Sequence, residues 1–201
     1  MSNTNSFNQH KERLAHFISN ITTPFIIAIL LFVVINYYIK EPNFYLISFL
    51  CILFAGFIPI LTSLLWIERK KIEIDMPKKE DRIYPLLMVI ISYFIGVVVL
   101  YSAHASPITI GIMFCYFSNT IIVLLISKYW KISIHSMGVA GPSAALIYVF
   151  GGVGFYFALL IPLVMWSRIY LKKHNFFQVT MGALIGFIIT GLQLTKIVPL
   201  L

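Results

Sequence analysis

Seven apolar runs of membrane-spanning length follow one another along the chain, and they constrain the fold more than any other feature. A bilayer core roughly 30 Å thick requires about 20 apolar residues per helix, and lipid tolerates only segments that satisfy their own backbone hydrogen bonds. We therefore predict an all-α, polytopic transmembrane bundle of six or seven helices, forming a single integral membrane domain over residues 1–201. The predicted spans are about 17–38, 44–66, 85–101, 107–127, 136–151, 153–171 and 176–194.

The number of spans depends on Gly151-Gly152, where a tight turn gives seven helices and its absence gives six. Residues 1–16 form a polar N-terminal tail. The first apolar run is too long for a signal peptide and lacks a small-residue cleavage site, so we expect a retained anchor. With 60% hydrophobic and 11% charged residues, the chain leaves no room for a separate soluble domain.

The basic residues are distributed unevenly between the two sides of the predicted bundle. A net charge of +8 is compatible with nucleic-acid binding, but the Lys and Arg residues stand in short clusters between apolar runs, so we predict no nucleic-acid partner. With seven spans, 13 of the 15 Lys and Arg residues share the N-terminal side, and Lys40 and Lys196 lie opposite. Because cytoplasmic connections carry the excess of Lys and Arg, this side is predicted to face the cytoplasm of a cell membrane.

Three polar clusters occur on this basic side, and each contains residue types used in phosphate chemistry. In the first, residues 75–85, Arg82 stands just before a span, where its guanidinium fork is suited to hold phosphate oxygens. A solvated basic loop that only marks the cytoplasmic side explains this cluster equally simply.

The second cluster, residues 131–138, enters a span rich in small residues. His135 is suited to supply a proton near neutral pH, while Ser133 and the nearby amides at a helix start are suited to bind an anion. The alternative is a histidine hydrogen-bonded at the membrane interface.

The third cluster, residues 167–178, supplies a partner for the second. His174 and Gln178 are four residues apart at the start of the final predicted helix, so the glutamine oxygen is expected to accept the proton of one imidazole nitrogen. The other nitrogen is then free to act as a nucleophile. Interfacial anchoring by Arg168 and the neighbouring lysines, with an incidental histidine, is the alternative.

The order and spacing of these clusters resemble the type 2 phosphatidic acid phosphatase superfamily, whose motifs are K-x6-R-P, P-S-G-H and S-R-x5-H-x3-D. Ser167, Arg168 and His174 match the third motif, with Gln178 where the family has Asp. In the second motif Ser133 and His135 match, while isoleucines replace the Pro and Gly.

The first motif is poorer, because only Arg82 matches it. Asp75 occupies the lysine position and Ile83 the proline position, and Lys78 or Lys79 stands nearby as a substitute for the lysine. The resemblance covers roughly residues 75–178, within a core of about residues 75–194.

The resemblance implies hydrolysis of a phosphorylated lipid, either an isoprenoid (di)phosphate or a glycerolipid phosphate, without a metal or other cofactor. His174 would form a phosphohistidine and His135 would protonate the leaving oxygen. The resemblance places the phosphoryl oxygens near four further residues: Arg82, Arg168, Ser133 and Lys79.

Two other functions remain open at this point. A non-catalytic binder or transporter of phosphorylated lipids is favoured by Gln178, because a neutral amide only orients the imidazole that an Asp would also stabilise electrostatically. A bundle whose basic loops only set topology is the third possibility. Membrane prenyltransferases and alcohol phosphatidyltransferases need aspartate-rich metal motifs, which the seven acidic residues do not form.

Overall fold

The computed structural model describes residues 2–74, 76, 78 and 80–201, with side chains from Gln9 onward. Lys79 and Asp75, both named in the sequence analysis, lie outside the described residues. The described part is built from helices and contains no strand. The helices are α1 Ser2–Ile21, α2 Pro24–Tyr38, α3 Phe44–Ile52, α4 Ile58–Lys70, α5 Ile83–Ser102, α6 Pro107–Ser127, α7 Ile134–Phe150, α8 Phe155–Ala158, α9 Leu160–Tyr170 and α10 Phe176–Ile197.

Short helical turns extend several of these helices into longer segments. A π-helical turn, Leu53–Phe57, joins α3 and α4, and 3₁₀ turns precede α5, follow α7 and follow α10. Within the described residues, five segments are long and apolar enough to cross a bilayer, and the bent pair α1–α2 makes six if it counts as one span. The predicted all-α membrane bundle is confirmed. The five segments are Phe44–Lys70, Glu80–Ser102, Pro107–Ser127, Ile134–Ala158 and Phe176–Leu200.

The predicted first span, 17–38, is two helices that meet at an angle of 53°. Pro24 opens α2, and because proline has no backbone N–H it cannot continue α1. The hydroxyl of Thr22 donates to the carbonyl of Ile18 at 2.6 Å and satisfies one acceptor at the end of α1. The polar N-terminal segment is helical from Ser2 as part of α1, and α1 packs against α9.

The predicted turn at Gly151-Gly152 is present. Gly151 has φ +63°, and a Cβ on Gly154 would lie 2.5 Å from the backbone nitrogen of Ile147, so the chain folds back onto α7. Val139 and Val164 consequently belong to one buried cluster, although a straight helix would separate them by about 37 Å. The returning helix α9 has only 11 residues and is too short to count among the five spanning segments.

Helix α10 packs closely along α7, which places their first turns side by side. A Cβ on Gly182 would lie 2.5 Å from the carbonyl oxygen of Ser133, and one on Gly186 would lie 2.9 Å from the Met137 side chain. The Gly-x-x-x-Gly pair therefore serves helix packing, as its sequence pattern predicts. This contact brings the second and third polar clusters to the same end of the bundle, called the basic end below.

Candidate functional site

Backbone and side-chain hydrogen bonds join the three polar clusters at the basic end. Arg82 donates from Nη1 to the carbonyl of Ile132 at 3.2 Å, across 50 residues of sequence. The backbone N–H of Ser133 donates to the carbonyl of Gln178 at 3.2 Å. We call the group Arg82, Ser133, His135, Arg168, His174 and Gln178 the His174 cluster.

His174 lies in the turn between α9 and α10, where Gln178 fixes its orientation. Its backbone N–H donates to the Arg168 carbonyl at 3.3 Å, and its Nδ1 is 3.0 Å from Oε1 of Gln178. The same Oε1 accepts the N–H of Asn175 at 3.2 Å, and the N–H of Gln178 donates to the Asn175 side chain at 2.9 Å. Because Oε1 is an acceptor, Nδ1 carries the proton and Nε2 holds the lone pair.

The expected hydrogen bond between these residues is confirmed, but its geometry differs from the predicted one. The two side chains do not share a face of the last helix, because α10 begins at Phe176 and His174 precedes the capping residue Asn175. Gln178 instead reaches back from the third helical position in a capping box, a role that Gln and Glu perform well. One amide thus caps the helix and orients the imidazole.

The imidazole of His174 is buried among cations, with 7% of the residue exposed. Burial lowers the pKa of His174 from 6.5 to about 3, helped by Arg82, Arg168 and Lys131 and opposed by the hydrogen bond that the imidazole donates to Gln178. The imidazole is therefore neutral at neutral pH. A neutral ring with a lone pair on Nε2 is the form in which histidine acts as a nucleophile.

The two arginines are both buried and are held by different kinds of partner. Arg82, 5% exposed, donates from Nε to the carbonyl of Met76 at 2.9 Å, in addition to its bond to the carbonyl of Ile132. Arg168, 3% exposed, donates from Nη1 to the hydroxyl of Ser19 in α1 at 2.7 Å. Both guanidinium groups act electrostatically on His174, so their positive charge is concentrated at one point of the basic end.

Ser133 and His135 have different positions. Ser133 is fully buried and caps α7, with its Oγ accepting from the N–H of Ser136 at 3.3 Å and from the hydroxyl of Ser136 at 3.0 Å. His135, on the first turn of α7, is half-buried and lines a cavity. The cavity wall therefore includes His135 but not Ser133.

A cavity of about 630 Å³ extends from the basic end into the bundle. Arg82, His135, Arg168 and His174 line its polar part, and most of the remaining wall comes from apolar side chains of α2, α4, α5, α6 and α7. This volume lies within the roughly 300–1,000 Å³ typical of ligand pockets. The cavity therefore combines a cationic, histidine-bearing end with an apolar interior.

Sequence reasoning missed three residues at this end. Lys131 adds positive charge near His174, and its Nζ donates to the carbonyl of Lys173 at 3.0 Å. Ser19 holds Arg168, and His16 lines the cavity beside it. The available signal for α1 was the spacing of Ala15, Ser19 and Thr22, small residues on one helical face.

The described residues contain no group of three or more His, Cys, Asp or Glu side chains placed to hold a metal ion. Comparisons of this chain with protein-family models, with curated proteins and with solved structures gave no match. The phosphatase resemblance accordingly rests on the sequence motifs alone.

Proposed function

We propose that the protein is a membrane lipid phosphatase that hydrolyses an isoprenoid (di)phosphate or a glycerolipid phosphate through a phosphohistidine on His174. The observation that carries this proposal is the state of His174. Its ring is neutral and buried, its Nδ1 is bonded to Gln178, and two arginines stand nearby at the polar end of an apolar cavity.

The proposed reaction has two steps. In the first, Nε2 of His174 attacks the terminal phosphorus, the bond from this phosphorus to the leaving oxygen breaks, and His135 gives that oxygen a proton. The leaving group is the lipid alcohol for a monophosphate and the lipid monophosphate for a diphosphate. In the second, water attacks the phosphohistidine, His135 takes the proton back, and inorganic phosphate leaves with His174 restored. Fixed cations such as Arg82 and Arg168 stabilise the charge that spreads over the phosphoryl oxygens.

The shape of the cavity supports a lipid as the substrate. An anionic headgroup is favoured where the arginines lie, and a hydrocarbon chain is favoured along the apolar wall. The excess of Lys and Arg at the basic end supports a cytoplasmic position for the headgroup. Membrane lipids are then both the solvent of the protein and the source of its substrate.

The direct test is phosphate release from prenyl diphosphates, prenyl monophosphates and phosphatidic acid by the detergent-solubilised protein with a chelator present. We expect turnover of at least one class, unaffected by chelation and lost in His174→Ala. No turnover above the His174→Ala control across the whole panel would refute hydrolysis.

A non-catalytic binder or transporter of phosphorylated lipids is the second candidate. The neutral Gln178 favours it, because an amide stabilises an imidazolium less well than a carboxylate. Binding of the same lipids without turnover, lost in Arg168→Ala, would support this candidate.

A further inference from the structure

The N-terminal helix α1 contacts the third polar cluster through two buried hydrogen bonds. The hydroxyl of Ser167 donates to the carbonyl of Ala15 at 2.7 Å, and Arg168 donates from Nη1 to the hydroxyl of Ser19 at 2.7 Å. Each of these four residues is at most 5% exposed. One turn of α1 is thus hydrogen-bonded to Ser167 and Arg168, the two residues that begin the third motif.

Helix α1 has one buried face towards α9 and one exposed apolar face. Ala15, Ser19 and Thr22 form the buried face of the helix, whereas Leu14 and Phe17 are 51% and 61% exposed on another face. Lys11 and Arg13 precede this apolar face, a pattern typical of helices that lie at a membrane surface. The helix is therefore suited to rest in the interface while its inner face contacts α9.

We propose that Ser19 is a positioning residue for Arg168, so that α1 completes the phosphate site from outside the region of family resemblance. The inference rests on the proposed function in one respect, namely that Arg168 binds the phosphoryl group. A free arginine side chain loses rotamer entropy when it binds a ligand, and a short hydrogen bond to one Nη reduces what remains to be lost on binding. Ser19 holds the guanidinium in the orientation that the cavity requires.

The two arginines differ in a way that makes this role testable. Arg82 bonds to the carbonyls of Met76 and Ile132, which survive side-chain substitution, whereas Ser19 offers Arg168 a side-chain hydroxyl. Replacing Ser19 therefore removes one acceptor of Arg168 and leaves the bonds of Arg82 to Met76 and Ile132 in place.

The test compares Ser19→Ala with Ser19→Thr, which keeps the hydroxyl, and with Thr22→Val as a matched control. Thr22 directly follows α1 and continues its buried face, is 2% exposed, and donates to the carbonyl of Ile18 in α1. The measured quantities are the affinity for inorganic phosphate in detergent, obtained from direct binding and from competition with substrate, the KM and kcat for the preferred lipid, and the unfolding temperature.

We expect Ser19→Ala to weaken phosphate affinity and raise KM by about tenfold or more, the effect of losing a buried hydrogen bond to a charged group. Ser19→Thr restores both values, and Thr22→Val leaves both at the wild-type level even where it lowers the unfolding temperature. In an Arg168→Lys background, Ser19→Ala has no further effect on phosphate affinity, because the group it positions is gone.

Unchanged phosphate affinity in Ser19→Ala overturns the proposal, as does an equal loss in Thr22→Val. If Ser19→Ala does not fold, Ser19→Cys, a weaker acceptor of similar size, must show the same loss of affinity, and wild-type affinity in that variant overturns the proposal. Phosphate binding that depends on Ser19 in a protein without turnover supports the positioning role while refuting hydrolysis. A wild-type protein that binds no inorganic phosphate overturns the positioning role, whereas hydrolysis is decided separately by turnover of the lipid panel.

Discussion

The His174 cluster and a second buried polar cluster, at the opposite end of the bundle, differ in what their side chains bind. We call the second group the Glu41 cluster: Asn36, Glu41, Ser48, Ser106 and Thr109. Glu41 accepts from the N–H of Ser106 at 2.8 Å and from the hydroxyl of Thr109 at 2.9 Å. Oδ1 of Asn36 lies 2.7 Å from the same Thr109 hydroxyl, whose one proton the two acceptors share, and Nδ2 of Asn36 donates to Ser48 at 3.2 Å.

Burial alone does not separate the two clusters, since Glu41 is 4% and Arg168 3% exposed. Their positions relative to the cavity separate the two clusters. The Glu41 cluster joins α2, α3 and α6 and lies away from the cavity wall, whereas Arg82, His135, Arg168 and His174 line it. Buried polar groups that bond to one another stabilise helix packing, and those that face a cavity are placed to meet a ligand.

The largest expected effect is an opposite response of the two clusters to alanine. On the proposed mechanism we expect His174→Ala to lower phosphate release by at least about a thousandfold, because the proposed nucleophile is gone, and to leave the protein folded. Glu41→Ala lowers the free energy of unfolding by about 2–4 kcal/mol, because the backbone N–H of half-buried Ser106 and the hydroxyl of buried Thr109 lose an acceptor, while folded protein keeps its rate. Phosphate release and thermal unfolding in detergent measure the two effects.

The reverse pattern would break the comparison. A His174→Ala protein with wild-type turnover would show that the His174 cluster does not carry the chemistry. A Glu41→Ala protein that is stable but inactive would place the chemistry at the Glu41 cluster instead.

Arg82→Lys tests the one residue of the His174 cluster that comes from the poorly matched first motif. An ammonium group cannot reproduce the fork that reaches both Met76 and Ile132, so we expect kcat/KM to fall by about tenfold to a hundredfold. Arg69→Lys, at an exposed arginine on α4, is the matched control and keeps the wild-type value. Equal kcat/KM values in the two variants would mean that Arg82 only contributes to membrane orientation.

Gln178→Glu tests whether the neutral partner limits catalysis. Glutamate keeps the capping box with Asn175 and gives the Nδ1 proton of His174 a charged acceptor, which raises the pKa of His174. We expect kcat to rise by about three- to tenfold, since the imidazolium character of the transition state is better stabilised. A fall in kcat, with normal unfolding temperature, would contradict this account of Gln178.

The smallest expected effect is a pH dependence of stability that belongs to His174. Because its folded pKa of about 3 lies below the ordinary 6.5, the unfolded chain binds the proton first, and stability falls as pH drops from 6.5 towards 3. The slope is at most about 1.4 kcal/mol per pH unit. Wild type should lose more stability than His174→Ala between pH 7 and 4.5, and the gap should be constant above pH 7. Parallel curves would mean that His174 is not buried neutral.

Sequence reasoning predicted the membrane fold well because it depends on local properties. The lengths of the apolar runs, the turn at Gly151 and the packing role of Gly182 and Gly186 follow from residue size and hydropathy over short distances. The hydrogen bond between His174 and Gln178 was predictable for the same reason.

Other features depended on contacts that spacing does not encode. Ser133 has the residue type expected for an anion ligand, yet its hydroxyl caps α7. The first span bends at Pro24, and only the packing of α1 against α9 shows that Ser19 meets Arg168 across 149 residues. Loop-closing contacts of this length arise from the whole bundle and leave no local pattern.

The sequence by itself determined that the chain is a helical membrane protein with its basic residues concentrated at one end, because hydrophobic run length and charge are properties of each segment alone. The tertiary structure alone decided that Arg82, His135, Arg168 and His174 line one cavity and that α1 forms part of its polar end. The physical reason is that burial, cavity shape and the lowered pKa of His174 exist only where separate segments pack together.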